Sequence, residues 1–200
     1  GKPDILVRVT TDSNDRTYLP AEVKHHSTFS TAKRVSALMS GTVHPAIPLH
    51  VPGVTTAGSH RAEDTMQLSH YTRMLQACGF HPGDDWLYGL VMGTSVWDLD
   101  GAGAAQVFVW HSLTEPMFPT YSRSQGKTIR TALQRYDHEH DFRLMVARSA
   151  SGAESSALQS RPVPIGQAEC GSCPYEAWCD HLMGDDDASR HIVVGRLGVR

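Results

Sequence analysis

The chain of 200 residues carries 18 Lys+Arg against 21 Asp+Glu, a formal charge of −3, with 40% hydrophobic and 8% aromatic residues. This ordinary globular composition is long enough to bury about 70% of the unfolded chain's surface around one core without disulfide staples, and it supplies no global attraction for nucleic acid. No apolar run approaches the roughly 20 residues of a membrane helix and no charged-then-apolar leader opens the sequence, so a cytoplasmic protein with no membrane partner is expected.

Lys2, Pro3 and Asp4 run directly into a strand-like segment, and His191 to Arg200 stops without a terminating signal, which together suggest a piece of a longer polypeptide. Ile5, Val7 and Val9 alternate with Leu6, Arg8 and Thr10, and Leu19, Ala21 and Val23 alternate with Pro20, Glu22 and Lys24. Two period-2 runs around a turn over residues 12–15 predict a β-hairpin. Opposed residues share a face, so apolar 5, 7 and 9 are expected across from 23, 21 and 19, with Asp4 across from Lys24.

That register gathers Asp4, Glu22 and Lys24 on the face away from the apolar one. The two carboxylates become diagonal neighbours about 7 to 8 Å apart at the backbone. Such a pair, with the backbone carbonyl of Val23, suits Mg²⁺ or Mn²⁺, which take hard oxygen ligands and keep several waters for substrate. The plain alternative is a solvated polar face of a half-buried hairpin. His25 and His26 follow directly, close to the same face.

Residues 40–61, with Pro45, Pro48 and Pro52, read as a long loop. Ser59, then Glu63 and Asp64, open a helix that ends at Gly79 with Pro82 beyond. Leu68, Tyr71, Leu75 and Cys78 form its expected buried stripe, while Gln67 and Tyr71, four apart, stack on one face beside the hairpin. Asp85–Met92 and Ala105–Leu113 are apolar and β-prone, and predict a second hairpin that extends the sheet. Residues 128–146 have helical spacing, and their approach carries Arg123, Lys127, Arg130 and Arg135, a basic flank that offers phosphate contacts or an ordinary solvated face.

The Ser-, Ala- and Gly-rich run from Ser149 reads as a linker over 149–163, between a body of residues 1–148 and a tail of residues 164–200. In that tail Cys170-Gly-Ser-Cys173 forms a knuckle that aims two thiolates at one centre, and Cys179 returns on a short segment. A [4Fe-4S] cluster needs a fourth cysteine, whereas structural zinc accepts three cysteines and a histidine. Cys78, His181 or a cysteine upstream of residue 1 are the candidates for the fourth ligand, although Cys78 also reads as a buried core thiol.

Taken in order, Gly1-x-x-Asp4, Glu22-x-Lys24, Gln67-x-x-x-Tyr71 and the Cys170, Cys173, Cys179 series resemble RecB-like nucleases of the PD-(D/E)XK superfamily over nearly the whole chain. The likeness is greatest to the iron-sulfur branch, which includes the AddB nuclease domain, CRISPR-associated exonucleases and RecB-like nucleases of actinobacteria. The resemblance implies an α/β fold with a restriction-endonuclease-like core, a mixed central sheet flanked by helices and a C-terminal cysteine-rich metal-binding tail. It implies that Asp4 and Glu22 hold the divalent metal, that Lys24 orients or activates the attacking water, and that Gln67 and Tyr71 position the strand and the site. It also favours a [4Fe-4S] cluster over Zn²⁺, DNA as substrate with an exonuclease-like action on single strands or ends, a role in DNA repair or processing, and further domains of a longer parent, such as a helicase. By that resemblance, the family's upstream helix and its usual first cluster cysteine would fall before the first residue here. Two competing readings use the same fold: a non-catalytic nucleic-acid-binding module, and a zinc-stabilised interaction domain with Asp185 to Asp187 facing a partner.

Overall fold

The computed structural model describes residues 2–11, 14–56, 58–101, 103–122, 126–150, 168–183 and 185. The first hairpin forms as expected, from β1 (Ile5–Thr11) and β2 (Asn14–Val23), but in a different register. Ile5 pairs with Ala21, Val7 with Leu19 and Val9 with Thr17, so each β1 residue faces a β2 residue two positions earlier than predicted. The connection is tighter than the expected four-residue turn, because the ladder runs on to a Thr11–Asn14 pair after an irregularity past Val9. A slip of two residues preserves every side chain's face, and it replaces Val23 by Thr17 in the apolar row. Val23 is accordingly left 46% exposed and Thr17 is buried, with its hydroxyl donating to the Val9 carbonyl at 2.5 Å.

Residues 40–61 are not a long loop. β3 (Ser30–Gly41) and β4 (Leu49–Thr55) pair antiparallel across a short turn. Pro45 and Pro48 do lie in the connection before β4, whereas Pro52 is tolerated inside it because β4 is an edge strand, where a missing N–H removes no ladder bond toward an outer neighbour. β5 (Tyr88–Trp97) and β6 (Ala105–Ser112) form the predicted second hairpin. The six strands make one mixed sheet in the order β1-β2-β5-β6-β3-β4. β2 and β5 run parallel, and the other neighbours run antiparallel.

Helix α1 (Arg61–Ala77) lies within the predicted span, with Gly79 in the left-handed region just past its end. It covers the sheet face on which Glu22, Val91, Val109 and Met39 stand in one row. Gly89 allows the close approach, since a Cβ there would come within 2.7 Å of Leu68 Cβ. Leu68 packs with Val91, Leu113, Phe118, Ala132 and Leu133, and burying such a side chain contributes about 1.5 to 3 kcal/mol. The other face is filled by Val7, Val9, Leu19, Ala21, Leu90, Phe108 and Trp110. Cys78 departs from expectation: it is the C-cap residue of α1 and is exposed, because α1 buries Leu68, Tyr71, Thr72 and Leu75 but releases the chain at its final turn.

The helix expected over 128–146 starts later. Residues 126–131 are β8 (Gly126–Thr131), paired with β7 (Pro116–Ser122) in a separate two-stranded sheet, and α2 (Ala132–Ala150) follows. Thr128 and Ile129 carry the β-branched character that suits a strand. Ser149 and Ala150 of the expected linker close α2, and 151–163 lie outside the described residues. The chain divides into two compact units, Gly1–Asp141 and Phe142–Arg200. In the second, a 3-10 segment (Ala168–Ser172) leads into α3 (Glu176–Leu182). Among the described residues, no helix is long and apolar enough to cross a membrane.

Candidate functional site

Glu22 sits at the end of β2 in the row that α1 covers, so strand alternation turns its carboxylate under the helix rather than into solvent. The residue is 4% exposed. Its Oε2 accepts from Lys24 Nζ at 3.3 Å, whereas its Oε1 is buried with no hydrogen-bond partner. Leaving such an oxygen unmatched costs about 1 to 3 kcal/mol or more for a charged group. An unmatched buried carboxylate oxygen is the donor type a hard divalent cation takes.

Lys24 lies two residues on, its backbone N–H donating to the Met92 carbonyl at 2.8 Å, which extends the β2–β5 pairing past the end of the strand. Its ammonium bridges from Glu22 to α1, donating to Gln67 Oε1 at 2.5 Å. Gln67 Nε2 in turn donates to the Tyr71 hydroxyl at 3.0 Å, across one helical turn. Four residues expected from two separate stretches of sequence thus form one continuous relay, Glu22–Lys24–Gln67–Tyr71. Each long side chain in it is held by a bond at its far end, which limits the positions the ammonium can take.

Asp4 lies just before β1 and is exposed. Its Oδ2 accepts from the Val23 backbone N–H at 3.0 Å. In the observed register the position across from it is Glu22 rather than Lys24, and one carboxylate oxygen of Asp4 is engaged by the strand beside it. Among the described residues no three His, Cys, Asp or Glu side chains are gathered at metal-holding distance. The donor set at the relay is therefore a single buried oxygen of Glu22 with the Asp4 carboxylate at the neighbouring backbone.

Asp64 was read only as an acidic residue of a helix N-terminus, yet it is buried and accepts from His26 Nε2–H at 3.0 Å. It lies one turn before Gln67 on the same face of α1, a spacing of 3 and 7 to Gln67 and Tyr71 that is visible in the sequence. His26 also stacks on His60, with ring centroids 4.1 Å apart. His111 is a second residue the sequence reading passed over. It continues the buried period-2 row of Val107 and Val109, and a polar residue in such a row was the available signal. Burial, reinforced by the Arg61 charge, pushes its pKa down to about 3, so it is neutral at physiological pH.

Of the basic flank, Arg123 lies outside the described residues. Lys127 is exposed on β8, opposite Tyr121, and Arg130 is partly exposed opposite Phe118. Arg135 lies over the Phe118 ring at 4.8 Å and bonds Glu139 at 2.8 Å. In the second unit, the Cys173 N–H donates to the Cys170 carbonyl at 2.9 Å, the turn expected of a knuckle, and Cys179 lies on α3. Cys173 is exposed, Cys170 and Cys179 are partly so, and none of the four cysteines forms a disulfide. His181 is exposed in the last turn of α3.

No family model, no curated protein and no solved structure matches this chain.

Proposed function

We propose that the chain is a metal-dependent DNA nuclease of RecB-like, PD-(D/E)XK type, hydrolysing phosphodiesters at the Glu22–Lys24 end of β2. The observation that carries the reading is the buried Glu22 carboxylate, one oxygen held by Lys24 and the other unmatched. Glu22, Asp4 and the Val23 carbonyl would hold Mg²⁺ or Mn²⁺. Such an ion, when bound, polarises a phosphoryl oxygen and lowers the pKa of a bound water. Lys24 places positive charge where negative charge develops on the phosphate. Gln67 fixes the Lys24 ammonium from α1, and Tyr71 fixes Gln67, so these two act as positioning residues. Exposed Lys127 and partly exposed Arg130, with Arg123, would contact phosphates farther along the strand.

By resemblance the substrate is single-stranded DNA or DNA ends, and the function DNA repair or processing in the cytoplasm alongside further domains. The knuckle of Cys170 and Cys173, with Cys179, would hold a [4Fe-4S] cluster or zinc. Its turn geometry supports two ligands, and it has no part in the hydrolytic step. A non-catalytic nucleic-acid-binding module is the second reading, favoured by the absence of a three-ligand group among the described residues.

The deciding experiment is a cleavage assay on end-labelled single-stranded and duplex DNA with Mg²⁺, Mn²⁺ or EDTA. Metal-dependent cleavage that Glu22→Gln and Lys24→Ala both abolish, with DNA binding retained, supports the nuclease. Cleavage indifferent to both substitutions removes it. Binding with no cleavage under any metal selects the second reading.

A further inference from the structure

Past the end of β2 the chain keeps hold of β5. The Lys24 N–H donates to the Met92 carbonyl at 2.8 Å, and the Thr94 N–H donates to the His26 carbonyl at 3.1 Å. A regular parallel ladder would offer the Lys24 carbonyl to Thr94, so two extra residues bulge out between these rungs. Gly93 makes room for them, because a Cβ there would lie 2.3 Å from the His26 carbonyl oxygen. Both side chains of the bulge reach α1. Lys24 Nζ donates to Gln67 Oε1 at 2.5 Å, and His26 Nε2–H donates to Asp64 Oδ2 at 3.0 Å. Gln67 and Asp64 are three apart on the helix, which puts their Cβ atoms about 5 to 6 Å from each other. The ammonium and the imidazole are thus held as neighbours.

The His26 ring is fixed on two sides. Asp64, its side chain 7% exposed, takes one ring nitrogen, and His60 stacks on the ring face with centroids 4.1 Å apart and planes 21° from parallel. The other nitrogen, Nδ1, has no hydrogen-bond partner among the described residues and is not buried, which fits a side chain that is 16% exposed. A carboxylate that orients an imidazole through one nitrogen, with the second nitrogen open, is the arrangement of a group that passes protons near neutral pH.

The roles given to Glu22 and Lys24 leave one chemical demand unmet, since the oxygen expelled from the strand needs a proton. The Lys24 ammonium is engaged by Glu22 and Gln67, and the Tyr71 hydroxyl is engaged by Gln67. We propose that His26 is the general acid of the hydrolysis, giving its Nδ1 proton to the leaving oxygen, and that Asp64 is its positioning residue. This rests on the nuclease reading. As the water oxygen bonds to phosphorus, the phosphorus–oxygen bond of the strand breaks and its electron pair takes the Nδ1 proton. The proton of the attacking water passes to solvent, and the neutral ring regains one from solvent. Asp64 holds the Nε2–H throughout.

The test uses the full chain with Mn²⁺ and a short end-labelled oligodeoxythymidine, whose products identify which bridging oxygen leaves. A second oligonucleotide carries sulfur in place of that oxygen at the linkages that are cut. A thiolate leaves without a proton, so this strand needs no acid. His26→Gln is expected to slow cleavage of the all-oxygen strand by at least about 100-fold and of the sulfur strand by less than about threefold. Asp64→Asn should shift the two rates in the same direction with a smaller loss, and an unchanged ratio there removes its positioning role. The ratio is taken on one preparation, so it holds where a variant folds incompletely, and His26→Ala provides a second substitution at the same place. Equal losses on both strands would assign the ring to folding or strand binding and overturn the proposal. A His26→Gln chain as fast as the parent on both strands also overturns it. Failure of the nuclease reading looks different: the parent chain shows no metal-dependent cleavage, or Glu22→Gln leaves cleavage unchanged, and either result removes this acid along with it.

Discussion

The relay from Glu22 to Tyr71 and the knuckle from Cys170 to Cys179 both carry residues of the right chemistry for a metal centre, yet they are assembled by different means. The relay draws on a strand and a helix that are distant in sequence, and burial under α1 forces its polar groups to find one another. The knuckle is local: a backbone turn brings Cys173 to Cys170, its side chains remain partly or fully exposed, and no third ligand closes on them among the described residues. A covered polar group is costly unless matched, so tertiary packing selects its partners. An exposed thiol is under no such pressure, and only a bound ion would gather it with others.

The sharpest way to break that contrast is at Glu22. Glu22→Gln is expected to lower metal-dependent cleavage by at least about 100-fold without lowering the thermal midpoint, because it removes a charge whose Oε1 is unmatched in the fold. A large drop in midpoint with cleavage intact would show that the carboxylate serves packing alone. Next is Gly89→Ala. The added methyl meets Leu68, so α1 must lift from the sheet at a cost of about 1 to 3 kcal/mol in urea unfolding. Gly89→Ala with Leu68→Ala should then lose less than the two single costs added together.

His111 sharpens the role of burial. Its pKa is held near 3 in the fold, below the ordinary value of 6.5, so the unfolded chain binds a proton that the native state refuses. Stability is therefore unaffected above pH 6.5 and falls by about 1.4 kcal/mol for each pH unit below it, until pH approaches 3. His111→Gln should flatten that slope in unfolding curves between pH 6.5 and 5, and an unchanged slope would place the titration elsewhere. The smallest effect is expected in the second unit. Cys173→Ser should abolish bound iron or zinc in anaerobically purified protein while shifting unfolding of the Gly1–Asp141 unit by less than about 0.5 kcal/mol. Brown protein absorbing in the visible identifies iron-sulfur, and colourless zinc-loaded protein identifies the alternative.

Much of the sheet was legible because period-2 alternation marks a strand whatever its partners. Val7 and Val9, or Val107 and Val109, announce a buried face by themselves. The register of the first hairpin was less so, since a slip of two residues leaves every face unchanged and is decided by the tightness of the turn. β4 escaped notice because Pro45, Pro48 and Pro52 are ordinary turn signals, and only the tolerance of Pro52 depends on β4 lying at the sheet's edge. At the site, Glu22, Lys24, Gln67 and Tyr71 were found through residue type and order, whereas Asp64 and His111 were not. Each of those two has a bland local explanation, in a helix's first turn and in a strand row, that only the packing of α1 replaces.

The parallel neighbours β2 and β5 have a consequence for the order of assembly. Between them the chain must lay down β3, β4 and α1 before β5 can slot in beside β2 and lock Lys24 through Met92. Closing so wide an excursion is slow compared with making a hairpin. The β1–β2 ribbon can therefore exist early in the life of the chain with its acid and ammonium still solvated, and the pairing that fixes Lys24 arrives only with β5. A partly assembled chain thus leaves Glu22 open to water, a consequence of topology alone.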